Sequence, residues 1–430
     1  MIVKQHDERE NPLRMKQLLH PTWLRFMFVS VACLLILVLF FDTASTAKIM
    51  PQLDSGPSHQ AYSSLPQSFP HRFFQTHSTW YEKIPANQPL VSRDSCTSID
   101  FINDVIFNRE ILTISYKEWS VPVFYAEEST PNQDVVPYTT SSQVAIEAIE
   151  SNGWNKNVPN PPEARPASAA DGHLVILSHD REVAWDFFQA KKDGSGFLSA
   201  QTIKRWDLNG DGIDQPYTYA GSRVAPVPLL HGLITYDEIV HQGTINHALA
   251  FAYNQAKRDS PGVYPCVTSN NSFCDRECCL WLGFRLQLNP ELDLDTLDLN
   301  WASKIIAKAM QEYGMIFVEN NGVGYNAVYA ENLEAKAESW DGIFDGSIMN
   351  IPLDQFRIVE PVFPPENPLP EDINLDWQVD ILDVQLCVNV SLGFELDPAV
   401  RKRADINNNA VVDNEDIQLV IHKLIQSNHH

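Results

Sequence analysis

Two copies of one loop pattern close this chain. The first runs from Asp372 to Asp383 as D-I-N-L-D-W-Q-V-D-I-L-D, the second from Asp405 to Asp416 as D-I-N-N-N-A-V-V-D-N-E-D. The copies lie 33 residues apart. Side-chain oxygens fall at loop positions 1, 3, 5, 9 and 12: Asp372, Asn374, Asp376, Asp380 and Asp383, then Asp405, Asn407, Asn409, Asp413 and Asp416. Position 7, where a loop of this kind offers a backbone carbonyl, holds Gln378 and Val411. Calcium takes about six to eight oxygen ligands, and this spacing curls a short loop around one ion. Each loop runs into an apolar helical stretch, Ile381-Leu382-Val384-Leu386-Val388 and Ile417-Leu419-Val420-Ile421-Leu424. A stretch this short that doubles such a loop is restricted to a small paired-helix module, with calcium as its implied ligand.

The doubled loop and helix resemble a type I dockerin, over about residues 371–426. That resemblance implies calcium binding and docking onto a cohesin-bearing scaffold or surface protein, commonly in polysaccharide breakdown. An acidic helical hairpin without metal is the alternative. Two departures stand out. Dockerin loops have Gly at position 6, where the backbone turns sharply, and here Trp377 and Ala410 stand there. A side chain at positive φ costs roughly 1 kcal/mol. Position 12 is Asp in both copies, as in dockerins, rather than the longer bidentate Glu of sensor loops.

The chain has 430 residues and a net charge of −24, which sets it against nucleic-acid backbones and fits a calcium-rich exterior. Residues 26–41 form an apolar run behind Arg14, Lys16 and Arg25, with Ser45-Thr46-Ala47 beyond it. This is an export segment, read over 1–47 as a signal peptide or an N-terminal membrane anchor. The protein is therefore expected outside the cell, secreted or at its surface. Residues 48–78 are a polar, disordered tether, and the Pro-dense stretch 361–370 is a stiff linker before the paired-loop module at 371–426. Between them lies a large region, 79–360.

That region alternates short β-like runs with few helices, which argues for a β-sandwich or jelly-roll-like fold. Ile111–Tyr116, Val121–Tyr125 and His173–Ser178 read as strands, as do the alternating runs Phe284–Leu288 and Met315–Val318, and Val183–Phe188 reads as the return arm of a hairpin turning at His179-Asp180-Arg181. The clearest helix spans Asn300 to Tyr313, with Trp301, Ile305, Met310 and Tyr313 on one side and Gly314 as its C-terminal cap. A shorter helix starts at Thr235, whose T-Y-D-E makes a capping box with Glu238. Cys266, Cys274, Cys278 and Cys279 cluster, and in an exported chain they read as disulfides closing a surface loop, with zinc as the sharper alternative. The stretches at 80–87, 164–177, 229–239, 243–251, 313–322 and 340–344 resemble a family of secreted bacterial proteins. This implies a single exported domain and carries no catalytic residue with it.

A third loop, Asp207-Leu-Asn209-Gly-Asp211-Gly212, has Gly at position 6 but Thr218 at position 12. Calcium at Asp207, Asn209 and Asp211 competes there with a plain Asn-Gly/Asp-Gly turn. Glycan hydrolysis needs two carboxyls across the scissile bond. Asp186, between Trp185 and Phe187, is the candidate acid, because apolar neighbours raise a carboxyl pKa; Asp180 or Glu182 at the hairpin tip is its candidate partner. The bland alternative has Trp185 and Phe187 facing the core and Asp186 facing water. His247 reads as a hydrogen-bonded structural residue, and Glu319 stands at a strand end, where ligand contacts are common. No G-x-S-x-G, H-E-x-x-H or phosphate loop occurs, which removes serine hydrolases, zincins and nucleotide enzymes from first place. The reading is an exported glycan hydrolase tethered through its last module, or else a non-catalytic protein that binds glycan or a partner at the cell surface.

Overall fold

The computed structural model describes residues 73–427, apart from 75–77, 108–109, 139–142, 214–220, 258–261, 267–273, 322–325, 363–368, 375–378 and 395–397. The export segment, nearly all of the tether and most of the Pro-rich linker lie outside them. Among the described residues no helix is long and apolar enough to cross a membrane.

The architecture is β-rich with few helices, followed by a small helical C-terminal module, as expected. Ten of the fifteen strands among the described residues build the two larger sheets: β1 (Leu112–Ser115), β2 (Val123–Tyr125), β3 (Leu174–Leu177), β4 (Val183–Phe188), β5 (Thr202–Asp207), β6 (Leu249–Tyr253), β7 (Arg285–Leu288), β8 (Met315–Asn320), β9 (Asn326–Tyr329) and β10 (Phe356–Ile358). A six-stranded sheet has the order β1-β9-β6-β8-β7-β10, and a four-stranded sheet the order β5-β4-β3-β2. Both mix parallel and antiparallel pairs: β1 runs parallel to β9, β6 to β8 and β2 to β3. The predicted hairpin is β3–β4, with Ile176 opposite Trp185 and Arg181 at φ +64° in the tip.

β4 is rich in aromatic residues and covered on both faces. Trp185 and Phe187 pack with Leu174, Ile176 and Ile203. Ala184, on the other face, joins the main core with Val175, Leu177 and Trp206. A strand covered on both faces loses the alternation that would mark its solvent side. A bulge interrupts the β6–β8 pair: Phe251 faces Phe317, yet Ala252 faces Glu319, so Val318 is the extra residue. Bulges re-aim the side chains that follow them.

Three helices decorate this region: α1 (Cys96–Phe107), α2 (Gln143–Ser151) and α3 (Trp301–Glu312). The Asn300 side chain caps α3, accepting from Ser303 N at 2.8 Å, and Gly314 follows it at φ +74°. The buried face of α3 keeps Met310 and Tyr313, as expected, but not Trp301. Ala302, Ile306, Ala309 and Met310 lie inward, whereas Trp301 is 50% exposed. As a first-turn residue it overhangs the end of the core. The Thr235 capping box is present: Thr235 N donates to Glu238 Oε2 at 3.0 Å and Glu238 N to Thr235 Oγ1 at 3.3 Å. The turn it opens ends as π-helix over Glu238–Gln242.

Cys274 pairs with Cys279 as a loop disulfide, but Cys278 reaches outside the cluster to Cys96, and Cys266 is a buried free thiol. Cys96, Asp100 and Asp104 repeat every four residues along one face of α1. Arg276 of the cysteine loop donates to Asp100 at 2.7 Å and to Asp104 at 3.1 Å. One helix face thus fastens the loop covalently and ionically.

The C-terminal module consists of α4 (Ile381–Ser391), α5 (Pro398–Ala404) and α6 (Asn414–Ser427). Its core is Ile373, Val379, Leu386, Cys387, Val400, Ala404 and Val420.

Candidate functional site

The two C-terminal loops close in the same way. Asp383, at position 12 of the first, accepts from Ile373 N at 2.7 Å and Asn374 N at 3.1 Å through Oδ1, and from Asp380 N at 2.9 Å through Oδ2. Asp416, at position 12 of the second, accepts from Ile406 N at 2.9 Å and Asn407 N at 3.1 Å, and from Asp413 N at 3.1 Å. In both, the donors are positions 2, 3 and 9. Both carboxyls are fully buried. The sequence duplication is therefore a duplication of hydrogen bonds, in which the last carboxylate stitches the loop's start to the helix behind it.

The second loop is described throughout. Asp405 accepts from Asn409 N at 2.9 Å and Ala410 N at 2.8 Å, and Asn407 Oδ1 from Asn409 N at 3.0 Å. Asn409 Oδ1 accepts from Val411 N at 2.8 Å, and Asp413 Oδ1 from Glu415 N at 2.8 Å. These Asx turns fold the chain back on its own oxygens. In the first loop, Asp372 and Asn374 are buried and Asp380 caps α4 through Leu382 N at 2.7 Å, while Asp376, Trp377 and Gln378 lie outside the described residues. The donor set is oxygen throughout, carboxylates and amides at five repeated positions. It fits a hard cation such as calcium and does not suit zinc. Among the described residues no three or more His, Cys, Asp or Glu side chains already stand as a metal cluster. The set relies on its Asn amides as much as on its carboxylates.

Ala410, at position 6, sits at φ +69°, the left-handed conformation that glycine adopts without cost. Ala410→Gly should therefore stabilise the module by about 1 kcal/mol, read as a rise in its melting temperature. An unchanged or lower value would mean that glycine's freedom in the unfolded chain outweighs the relieved strain.

The third loop is a pair of Asx turns. Asp207 accepts from Asn209 N and Asp211 from Ile213 N, each at 2.9 Å. Gly212 has φ +75° and lies against His231, whose Cε1 would stand 2.3 Å from any added Cβ. Thr218 lies outside the described residues. Asp207 is exposed while Asp211 is buried.

The structure does not bring the three candidate catalytic carboxyls together. Asp186 is buried and accepts from Trp206 Nε1 at 2.9 Å and Leu229 N at 2.7 Å, both through Oδ2. Burial pushes its carboxyl up to about 7 against those bonds. Asp180 and Glu182 are exposed at the hairpin tip, where Asp180 accepts from Ser178 Oγ at 2.5 Å. Four strand steps from Glu182 to Asp186 span about 13 Å, beyond the roughly 5–9.5 Å of a glycosidase pair. Nor does Asp186 face water, as the bland alternative had it.

A buried charge that acts on it is Arg223, which sequence reasoning missed. Arg223 is 8% exposed, donates to the carbonyls of His231 at 3.2 Å and Leu229 at 3.3 Å, and lies 5.0 Å from the Tyr329 ring centroid. A lone arginine at the head of the apolar run from Val224 to Ile234 was the available signal. His247 is held by Glu238 at 2.9 Å through Nε2 and by the Ala248 carbonyl at 2.8 Å through Nδ1. Burial opposes its charge, but the Glu238 carboxylate prevails and raises the imidazole above its usual value.

Neither the curated proteins nor the solved structures hold a match to the chain. Residues 370–425 match the family model described as the dockerin type I domain, and the C-terminal module is dockerin-like in its doubled loops as well as in its sequence.

Proposed function

We propose that this is an exported protein held by its C-terminal module, with calcium in both loops, on a cohesin-bearing scaffold or surface protein. Its β-rich region then acts on polysaccharide in that assembly, as a glycan hydrolase. The observation that carries the reading is the dockerin type I match at residues 370–425, in loops that each close on a buried carboxylate. The hydrolytic part draws on the neighbouring module, because cohesin-borne assemblies commonly degrade polysaccharide. The separation of Asp186 from Asp180 and Glu182 favours a second reading, a non-catalytic protein that binds glycan or a partner at the cell surface.

Docking is tested by titrating the full chain against a panel of purified type I cohesins, with calcium and then with a chelator. Binding to at least one cohesin in calcium, lost in chelator and restored by added calcium, is the expected result. No binding to any of them in calcium would remove the scaffold from the proposal.

A further inference from the structure

Where the six-stranded sheet meets the segment 221–225, a second set of ionisable groups converges. At the bulge, the Val318 carbonyl and the Glu319 side chain both bond that segment. Ala225 N donates to the Val318 carbonyl at 3.0 Å, and Val224 N donates to Glu319 Oε2 at 3.2 Å. Glu319 Oε1 accepts from Asn320 N at 3.2 Å, so both oxygens of a half-buried carboxyl are oriented by main chain. On the other side of the segment, His173 Nε2 bonds the Ser222 carbonyl at 2.8 Å. Two residues before His173 stands Asp171, half-buried, whose carboxyl has no hydrogen-bond partner among the described residues. Glu319 and Asp171 lie within Coulombic reach of each other, and Tyr329 of both.

Arg223 lies behind them. Its guanidinium is more than nine-tenths buried, within charge reach of Glu319, and its Nε has no partner among the described residues. Ser222 Oγ and His173 Nδ1 are also buried without partners among the described residues. Unsatisfied buried donors and acceptors are rare in folded proteins and call for an explanation when they gather on one segment.

We propose that Glu319 and Asp171, on either side of the segment 221–224, form the site at which the β-rich region engages a neutral saccharide, with Glu319 as the acid and Asp171 as the base. Arg223 is the positioning residue behind them. This rests on the polysaccharide reading above and supplies the carboxyl pair that Asp186 lacks. A net charge of −24 repels polyanionic glycans, so the substrate class is an uncharged one. Burial pushes the Glu319 carboxyl up to about 8, despite the Val224 N–H and the Arg223 charge, so it carries a proton at neutral pH. The step balances. Water oxygen bonds to the anomeric carbon as the glycosidic C–O bond breaks, Glu319 gives its proton to the departing oxygen, and Asp171 takes one from the water.

The test incubates the full chain with cellohexaose, xylohexaose and mannohexaose from pH 5 to 9 and follows their chain length by chromatography. Wild type should shorten at least one probe. Glu319→Gln and Asp171→Asn should each slow that cleavage by about 10²–10⁴-fold while binding the same probe within a few-fold. The wild-type rate should fall as pH rises through about 8, and the residual Glu319→Gln rate should lack that limb. Asp171→Asn breaks no hydrogen bond, so it decides the matter if Glu319→Gln fails to fold. Cleavage undiminished in both variants would overturn this site and leave the polysaccharide reading standing; no cleavage of any probe by wild type would overturn both.

Discussion

Removing calcium should unfold the C-terminal module while the β-rich region stays folded. Among the described residues the module's core holds seven buried apolar or cysteine side chains, too few to hold a stretch of its length securely. A ligand that binds only the folded form adds about 4 kcal/mol at a thousand times its dissociation constant. That is comparable to everything such a core supplies. Calorimetry of the full chain in millimolar calcium, then in chelator, should show one transition moving far down and the other standing still. Asp383→Ala with Asp416→Ala should reproduce the chelated trace even in calcium. Each substitution strands three backbone N–H groups, at about 1–3 kcal/mol for each one left buried and unpaired. Superimposable traces with and without chelator would remove the metal from the account.

Asp186→Asn should flatten the pH dependence of the β-rich region's stability. Trp206, the Leu229 amide, Arg223 and Lys204 all favour the ionised form of Asp186, yet burial outweighs them and sets the folded value near 7. An unfolded aspartate titrates near ~3.9. A raised folded value means a contribution that is complete below the unfolded pKa and lost as pH rises through the folded one. Its size is on the order of 4 kcal/mol. His247 acts in the same direction, since its folded value is also raised. Burial lowers the values of His173 and His231, which act in the opposite direction in both proteins, so the difference between the two carries the test: the variant should lose less stability than wild type between pH 5 and pH 8. Parallel slopes for the two proteins would show that Asp186 does not titrate in this range.

The paired loops were legible because every functional position is local. Twelve consecutive residues hold the oxygens, and a repeat of the same spacing leaves little room for coincidence. The β3–β4 hairpin and helix α3 were legible for a similar reason, since Asp180-Arg181 and Asn300 announce their own turn and cap. The surroundings of the catalytic candidates were not legible, because they are not local. Alternation along Val183–Phe188 offers two faces, one wet and one dry, but both faces of β4 meet other parts of the chain. What lies over Asp186 is Leu229, 43 residues away, and Trp206 on the next strand. Glu319 shows the same limit. Its strand was visible in Met315–Val318, whereas the bulge that turns it toward Val224 depends on a register set by β6.

The clasp between α1 and the cysteine loop bears on the order in which this chain can mature. Synthesised from its amino terminus, the chain presents Cys96 long before its partner, which lies 182 residues further on. Four thiols, Cys266, Cys274, Cys278 and Cys279, then arrive within fourteen residues, and any of them could capture Cys96. Arg276 stands among them and finds Asp100 and Asp104 on successive turns of α1 when the loop lies along that face. Opposite charges attract at distances where sulfurs cannot yet react. The ionic contacts thus act as a proofreader, presenting Cys278 to Cys96 and leaving Cys274 and Cys279 to each other.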